Sequence, residues 1–359
     1  MKLLSLAHQT LFADLVQRCL DAEFDETFPE NGSFVRLTGR NGQQFWYYKG
    51  YRRKDGDGGG RRYSKYVGPV ADPAVTARVE AFHRTKSGYA ERRALVRTLL
   101  AAGLPAPPGF LGDLIETLGR AGLFRLQGVL VGTAAFQTYA GLLGIRFPGA
   151  VIMTGDLDIA QFHAVSVSVG DSLPPVLDEL RRLDPSFRDV SSLSDPQQAT
   201  TYVNARGFRL EFLTPNRVGD SLSGGPARMP ALGGAAAQPL RYLDFLIRDP
   251  VRSVVLHRGG TAVLVPAPER FAIHKLMLSE LRREDRDRFA KSRKDLEQAA
   301  LLIGALANTG RRPDLGLVAR EAMARGPKWR DLLARARLSL APETETLLAA
   351  AILAAEGLA

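Results

Sequence analysis

The run Val151-Ile152-Met153-Thr154-Gly155-Asp156-Leu157-Asp158-Ile159-Ala160 surrounds two carboxylates with apolar and β-branched residues, the pattern of a buried strand. Side chains of a strand point to opposite faces in turn, so Asp156 and Asp158 share one face while Leu157 and Ile159 take the other. Two like charges converging out of water are costly unless a cation lies between them, and carboxylate oxygens suit a hard ion such as Mg²⁺ or Mn²⁺. The plainer alternative is an Asp-x-Asp that caps a turn or faces water.

Upstream, Phe124-Arg125-Leu126-Gln127-Gly128-Val129-Leu130-Val131 reads as a strand running into Gly132-Thr133-Ala134-Ala135-Phe136, the start of a helix. A strand that ends at Gly-Thr and opens a helix presents free backbone N–H groups to an anion. Gly132 lets a phosphate approach the backbone closely, and Thr133 is placed to act as N-cap or to offer its hydroxyl to the same phosphate. Downstream, Gly207-Phe208-Arg209-Leu210-Glu211-Phe212-Leu213-Thr214 reads as a further strand, with Glu211 a third acid between apolar neighbours. An ordinary strand-helix turn and a solvated glutamate are the alternatives for these two segments.

Together, Val131-Gly132-Thr133, Asp156-Leu157-Asp158-Ile159 and Glu211 resemble the nucleotidyltransferase fold of the DNA polymerase β superfamily. That pattern is a hydrophobic-Gly-Gly/Ser turn, an Asp-hydrophobic-Asp/Glu-hydrophobic strand and a lone acid on a later strand. The chain looks most like a bacterial group of such proteins and more distantly like the AbiE-type toxin nucleotidyltransferases, the latter through Lys275 and Lys294-Asp295. The resemblance covers about residues 121–300. Thr133 stands where relatives carry a second small Gly or Ser, the gap to Asp156 is longer than in minimal members, and Ile152 replaces a common Arg. The resemblance implies an α+β fold: a polymerase β-like core with a mixed sheet, an N-terminal β-rich appendage and a C-terminal helical bundle. It also implies transfer of a nucleoside monophosphate from an NTP to an acceptor, with pyrophosphate released. Asp156, Asp158 and Glu211 would hold two Mg²⁺ (or Mn²⁺), and Gly132, Thr133 and Lys275 would bind the phosphates.

The composition sets the frame for this. At 359 residues, 45% hydrophobic and 24% charged, the chain is long enough for several domains with a substantial core. One cysteine, Cys19, excludes an internal disulfide, and five scattered histidines show no zinc spacing. No apolar run is long enough to span a bilayer, and Met1–His8 is too soon polar for a signal peptide, so the expected location is the cytoplasm, away from membranes. The net charge of +10 favours a polyanionic partner, although an arginine-rich composition alone gives the same sign.

In chain order, residues 1–70 read as a helix at 3–23 followed by three strands, Ser33–Thr38, Gln43–Lys49 and Arg61–Val67, rich in aromatics and cations. Aromatics for stacking and cations for phosphates suit single-stranded nucleic acid; the alternative is that the rings form the small sheet's own core. Residues 71–120 form a helical spacer, with a break at Pro105–Gly109 and a short helix at 111–121. The core, 121–266, adds a helix at 173–183, a hairpin at 200–214, a small-residue loop at 217–238 that could act as a lid, and Leu240–Ile247 with the hairpin Ser253–Val265 to finish the sheet. Residues 267–359 read as five helices at about 268–283, 285–307, 313–324, 328–337 and 343–356. Lys275 either reaches phosphates or pairs with Glu280 or an adjacent acid. The partners expected are an NTP and an RNA, protein or small-molecule acceptor. A non-catalytic nucleic-acid-binding protein on a decayed version of this fold is the alternative function. A sugar-nucleotide glycosyltransferase is more distant, because it needs nucleotide-binding βα units ahead of its Asp-x-Asp.

Overall fold

In the computed structural model the chain begins with β1 (Lys2–Leu3) and α1 (Leu6–Leu20). A three-stranded antiparallel sheet of β2 (Ser33–Thr38), β3 (Gln44–Arg53) and β4 (Gly60–Pro69) follows, and then the long helix α2 (Pro73–Ala101). The structure describes residues 2–20, 32–38, 42–53, 60–147, 155–169, 171–191, 199–216, 225–283 and 289–358. The central part holds α3 (Gly109–Arg120), β5 (Val129–Val131), α4 (Gly132–Leu142), β6 (Ile145–Arg146), β7 (Asp156–Ala160), α5 (His163–Ser168) and α6 (Val176–Leu183). It continues through β8 (Arg188–Ser191), β9 (Ala199–Val203), β10 (Arg209–Pro215), β11 (Ala227–Arg228), β12 (Ala236–Leu240), α7 (Leu243–Leu246), β13 (Val251–Val255) and β14 (Thr261–Val265). Five helices complete it: α8 (Pro268–Arg283), α9 (Phe289–Asn308), α10 (Arg312–Ala324), α11 (Pro327–Arg337) and α12 (Pro342–Ala354). Among the described residues, no helix is long and apolar enough to cross a membrane.

The fold is α+β, and its main sheet is mixed. Along it the order is β11-β12-β10-β7-β5, with β8 and β9 joined to the first half of β10. Strand β7 lies parallel to β10 and antiparallel to β5, so the Asp-x-Asp strand is interior to the sheet. Alternation then fixes its two faces. Leu157, Ile159, Leu210 and Phe212 are fully buried in the principal core, which also takes Phe136 and Tyr139 from α4 and Phe271 and Ile273 from α8. Helix α3 joins the same core through Leu111, Leu114, Ile115 and Leu118, a spacing that makes one apolar stripe. Helix α1 lies across α4, with the Phe12 ring 2.2 Å from where a Cβ at Gly141 would stand, so only glycine admits that approach.

Several expectations need correction. The strand foreseen at 124–131 shrinks to Val129–Val131. Residues 121–127 form turns because Leu123 and Leu126 both reach the core at a helical spacing and the backbone closes on itself through Leu126 N–H to Gly122 O and Gly128 N–H to Leu123 O. Residues 151–154 of the Asp-x-Asp run lie outside the described residues. Of the loop foreseen at 217–238, residues 217–224 also lie outside them, and the remainder is built into the core rather than forming a lid. Ala235, Ala236 and Ala237 are buried, Ala236 and Ala237 pair with β11, and β12 goes on to pair in parallel with β10 through Gln238, Pro239 and Leu240. The hairpin of β13 and β14 forms its own two-stranded sheet instead of extending the main one. Leu240–Ile247 is not a strand throughout: Tyr242 takes a left-handed conformation (φ 63°) that ends β12 and starts α7. Helix α5 and strand β8 have no counterpart in the sequence expectations.

Candidate active site

The acids are assembled by strand register. Glu211 on β10 is the pairing partner of Asp158 on β7, and Arg209 is the partner of Asp156. Parallel partners point to the same face, so the four side chains form a two-by-two array, three of them acidic. On the other side of β7, Val131 pairs with Asp158 and the chain turns at once into α4 through Gly132. Gly132 has φ +64°, and a Cβ there would stand 2.8 Å from Asp158 Oδ2. Both its conformation and the carboxylate beside it require glycine.

Thr133 is the second residue of α4, half-buried beside Gly132. It is not the N-cap: Val131 holds that position, with no side-chain cap, because the turn is made by the left-handed glycine instead. Lys275 lies on α8, buried, and its Nζ donates to Asp295 Oδ1 of α9 at 2.5 Å. Of the two options for Lys275, reaching phosphates or pairing with an acid, the structure shows a pairing with an acid, which is Asp295 and not Glu280. Arg282 also donates to Asp295, and Ser292 Oγ donates to Ser279 O at 2.7 Å, so α8 and α9 are cross-linked where they border the acids.

Electrostatics tie the two groups together. Burial pushes the Asp158 carboxyl up to about 7, and the charges of Asp156 and Glu211 push in the same direction. Lys275 and Lys291 oppose that shift, which places both ammonium groups within electrostatic reach of Asp158. Lys294 is half-buried, and its pKa is lowered by burial and by Lys275 and Lys291 while Asp156 and Asp295 oppose the shift. Burial beside Lys275 and Arg282 likewise drives His274 down to about 3, so it is neutral, and its Nδ1 has no hydrogen-bond partner among the described residues. The Asp158 carboxylate makes no hydrogen bond or ion pair with any described residue, whereas that of Glu211 receives Arg209 Nη2 at 2.9 Å. The site is therefore a face of three carboxylates approached by lysines from α8 and α9. The sequence expectations missed Arg209, and they place Lys291 with Arg293, Lys294 and Asp295 in a charge run ranked below Lys275. The alternation Arg209-x-Glu211 carried the signal for Arg209; only the packing of α9 brings Lys291 within reach of Asp158.

A separate cluster lies on α3 and the hairpin. Asp113, Glu116 and His257 bring their ligand atoms within 4.8 Å of one another, a set that could hold a metal ion. Its acids already have partners: Arg258 reaches Asp113 at 2.6 Å and Glu116 at 3.0 Å, Arg120 reaches Glu116 at 2.8 Å, and His257 Nε2 lies 2.8 Å from Asp113 Oδ1. His257 is 144 positions from Asp113, a separation that no local spacing rule detects.

The family model described as Nucleotidyltransferase matches residues 110–324, from the start of α3 to the end of α10. Comparison with curated proteins finds no match. Among solved structures, an antigenic nucleotidyltransferase-like protein from Paracoccidioides brasiliensis is similar, at 16% identity over 60% of this chain and 94% of that one, with a TM-score of 0.30.

Proposed function

The chain belongs to the nucleotidyltransferase family, whose model matches more than half of it, and from that premise we propose that it moves a nucleoside monophosphate from an NTP to an acceptor hydroxyl. The acceptor hydroxyl gives up its proton to solvent and its oxygen forms a bond to the α-phosphorus, the bond from that phosphorus to the bridging oxygen breaks, and pyrophosphate leaves with the electron pair. The observation that carries this reading is the register setting Glu211 beside Asp158, with Asp158 against the bare backbone of Gly132.

The donor set fits hard divalent cations. Asp158 is crowded by two other carboxylates and held near neutrality, a condition that bound Mg²⁺ or Mn²⁺ would relieve. Held by Asp156, Asp158 and Glu211, two such ions would screen the triphosphate and lower the pKa of the acceptor hydroxyl. The chain supplies the rest. Gly132 and Thr133 open α4 with backbone N–H groups available to phosphate oxygens. Lys275, Lys291 and Lys294 bring positive charge to the acid face from the opposite wall, where it would meet the triphosphate. Asp295 fixes the Lys275 ammonium by a 2.5 Å ion pair. Arg209, paired with Glu211, balances one acid until cation and substrate arrive.

The test is incubation of the protein with each labelled NTP, Mg²⁺ or Mn²⁺, and total cellular RNA or protein. Label should move to one of these acceptor pools and disappear with Asp158→Asn. Glu211→Gln should cost transfer far more than NTP binding. Binding of RNA without any NTP affinity at millimolar Mg²⁺ would favour the decayed, non-catalytic alternative.

A further inference from the structure

The net charge of +10 is concentrated in one place. Residues 33–67 contain nine Lys and Arg against two Asp, so about a tenth of the chain carries +7 and all the rest carries +3. A general enrichment in arginine would scatter its charge; seven of these nine cations (Arg36, Lys49, Arg52, Arg53, Arg61, Arg62 and Lys65) lie on β2, β3 and β4, and Arg40 and Lys54 lie outside the described residues.

The structure sorts that sheet's aromatics by face. Trp46 and Tyr48 are buried with Phe34 against Val79 and Phe82 of α2, and the Trp46 indole N–H donates to Thr76 Oγ at 3.2 Å. These rings are the sheet's own core, so Trp46 offers no open face to a base. Alternation turns Phe45 and Tyr47 to the opposite face, where Tyr66 of β4 joins them at ring-centroid distances of 5.9 and 5.5 Å. Tyr66 keeps 53% of its surface exposed, and Leu37, paired with Phe45, keeps 41%. Lys49 follows Tyr47 on this outer face, and Arg62 lies on it opposite Tyr51; both are exposed. The outer face is thus a row of partly open rings continued by cations.

We propose that this outer face binds single-stranded nucleic acid, with bases stacked on Tyr66 and its neighbours Phe45 and Tyr47 and the phosphates met by Lys49 and Arg62. Charge complementarity selects a polyanion, and the rings select one whose bases are unpaired, since a duplex keeps its base faces stacked away. The inference adds a binding surface to the transferase reading without depending on it. Its test uses no NTP, so either can fail while the other stands.

Fluorescence polarisation of the full-length protein with a labelled oligouridine, at several salt concentrations, supplies the measurement. Tyr66→Ala should weaken binding by about 5- to 150-fold, the loss of one stacked base, while Tyr66→Phe retains it. Each of Lys49→Ala and Arg62→Ala should reduce the slope of log K against log salt by about 0.7. Trp46→Phe, on the inner face, should bind as the wild type does. An oligothymidylate of equal length shows whether RNA or DNA is preferred, and tight binding of either supports the surface. Wild-type affinity in a correctly folded Tyr66→Ala variant, equal affinity for a duplex, or displacement of the strand by anionic vesicles that bind Tyr66→Ala equally well would overturn it.

Discussion

Two groups of acids lie on this molecule, and they are solved in opposite ways. At Asp113 and Glu116 the chain provides its own counter-charges, Arg258 bridging both acids and Arg120 taking one of them. At Asp156, Asp158 and Glu211, Arg209 meets Glu211, but the Asp158 carboxylate has no hydrogen bond or ion pair among the described residues and lies against a glycine. The first arrangement is complete as it stands: it ties α3 to the turn between β13 and β14. The second is offset only in part, by Arg209 at Glu211 and by Lys275 and Lys291 acting on Asp158, and we read that surplus of negative charge as a site for an external cation. Proximity of ligating atoms alone would select the first group; the charge balance around them selects the second.

The sharpest way to break this comparison is catalytic. Asp156→Asn and Asp158→Asn should each lower nucleotidyl transfer by about 10³-fold or more, whereas Asp113→Asn and His257→Gln should leave it near wild type. Full activity in either Asp156→Asn or Asp158→Asn, with loss in Asp113→Asn, would reverse the roles of the two clusters. Metal-induced protection in thermal melts should follow the same division, surviving Asp113→Asn and vanishing in Asp158→Asn.

A second contrast concerns stability. Asp295 is almost wholly buried between Lys275 and Arg282, so Asp295→Ala leaves two cations facing each other in the interface of α8 and α9. Denaturant unfolding should show a loss of about 3–5 kcal/mol. Asp113→Ala removes a bridge to Arg258, which is half-exposed, and should cost at most about 1 kcal/mol. Comparable losses in the two variants would mean that the buried pair is far better solvated than its position implies.

What could be read from the sequence follows the range of the interactions involved. The strand Ser33–Thr38 and the helix Pro268–Arg283 have the bounds foreseen, because alternation in one and helical spacing opened by a proline in the other are local signals. The shared face of Asp156 and Asp158 is local as well. That Glu211, and no neighbouring position, stands beside Asp158 depends on strand register, and that Lys275 meets Asp295 depends on how two helices pack. Neither is encoded in spacing along the chain. Composition reads the small-residue segment 217–238 as loose, yet its described part, 225–238, buries Ala235, Ala236 and Ala237 and leads β12 into pairing with β10. Composition reports what a segment lacks, and packing decides whether that lack is useful. The aromatic sheet shows the same limit, since alternation divides its rings into two faces but only α2 determines which face is covered.

The smallest expected effect carries the opposite sign in the two clusters and so tests the comparison most directly. Asp158 has its carboxyl raised from 3.8 to about 7, so ionising it costs more in the folded chain than in the unfolded one. Below pH 4 both states hold the proton, and Asp158→Asn should change stability little. Between pH 4 and 7 the unfolded chain releases its proton while the folded chain retains it, so the wild type loses stability relative to the variant; above 7 the difference is complete. In metal-free buffer at pH 8, Asp158→Asn should therefore be more stable than the wild type by on the order of 1 kcal/mol, even though it is inactive. Asp113→Asn should be slightly less stable than the wild type at the same pH, because the charge it removes is one that Arg258 already answers. Adding Mg²⁺ should close the gap at Asp158 by stabilising the wild type alone. If Asp158→Asn proves destabilising at pH 8 and no less so at pH 4, its carboxylate is satisfied as those of α3 are, and the distinction between the two clusters is lost.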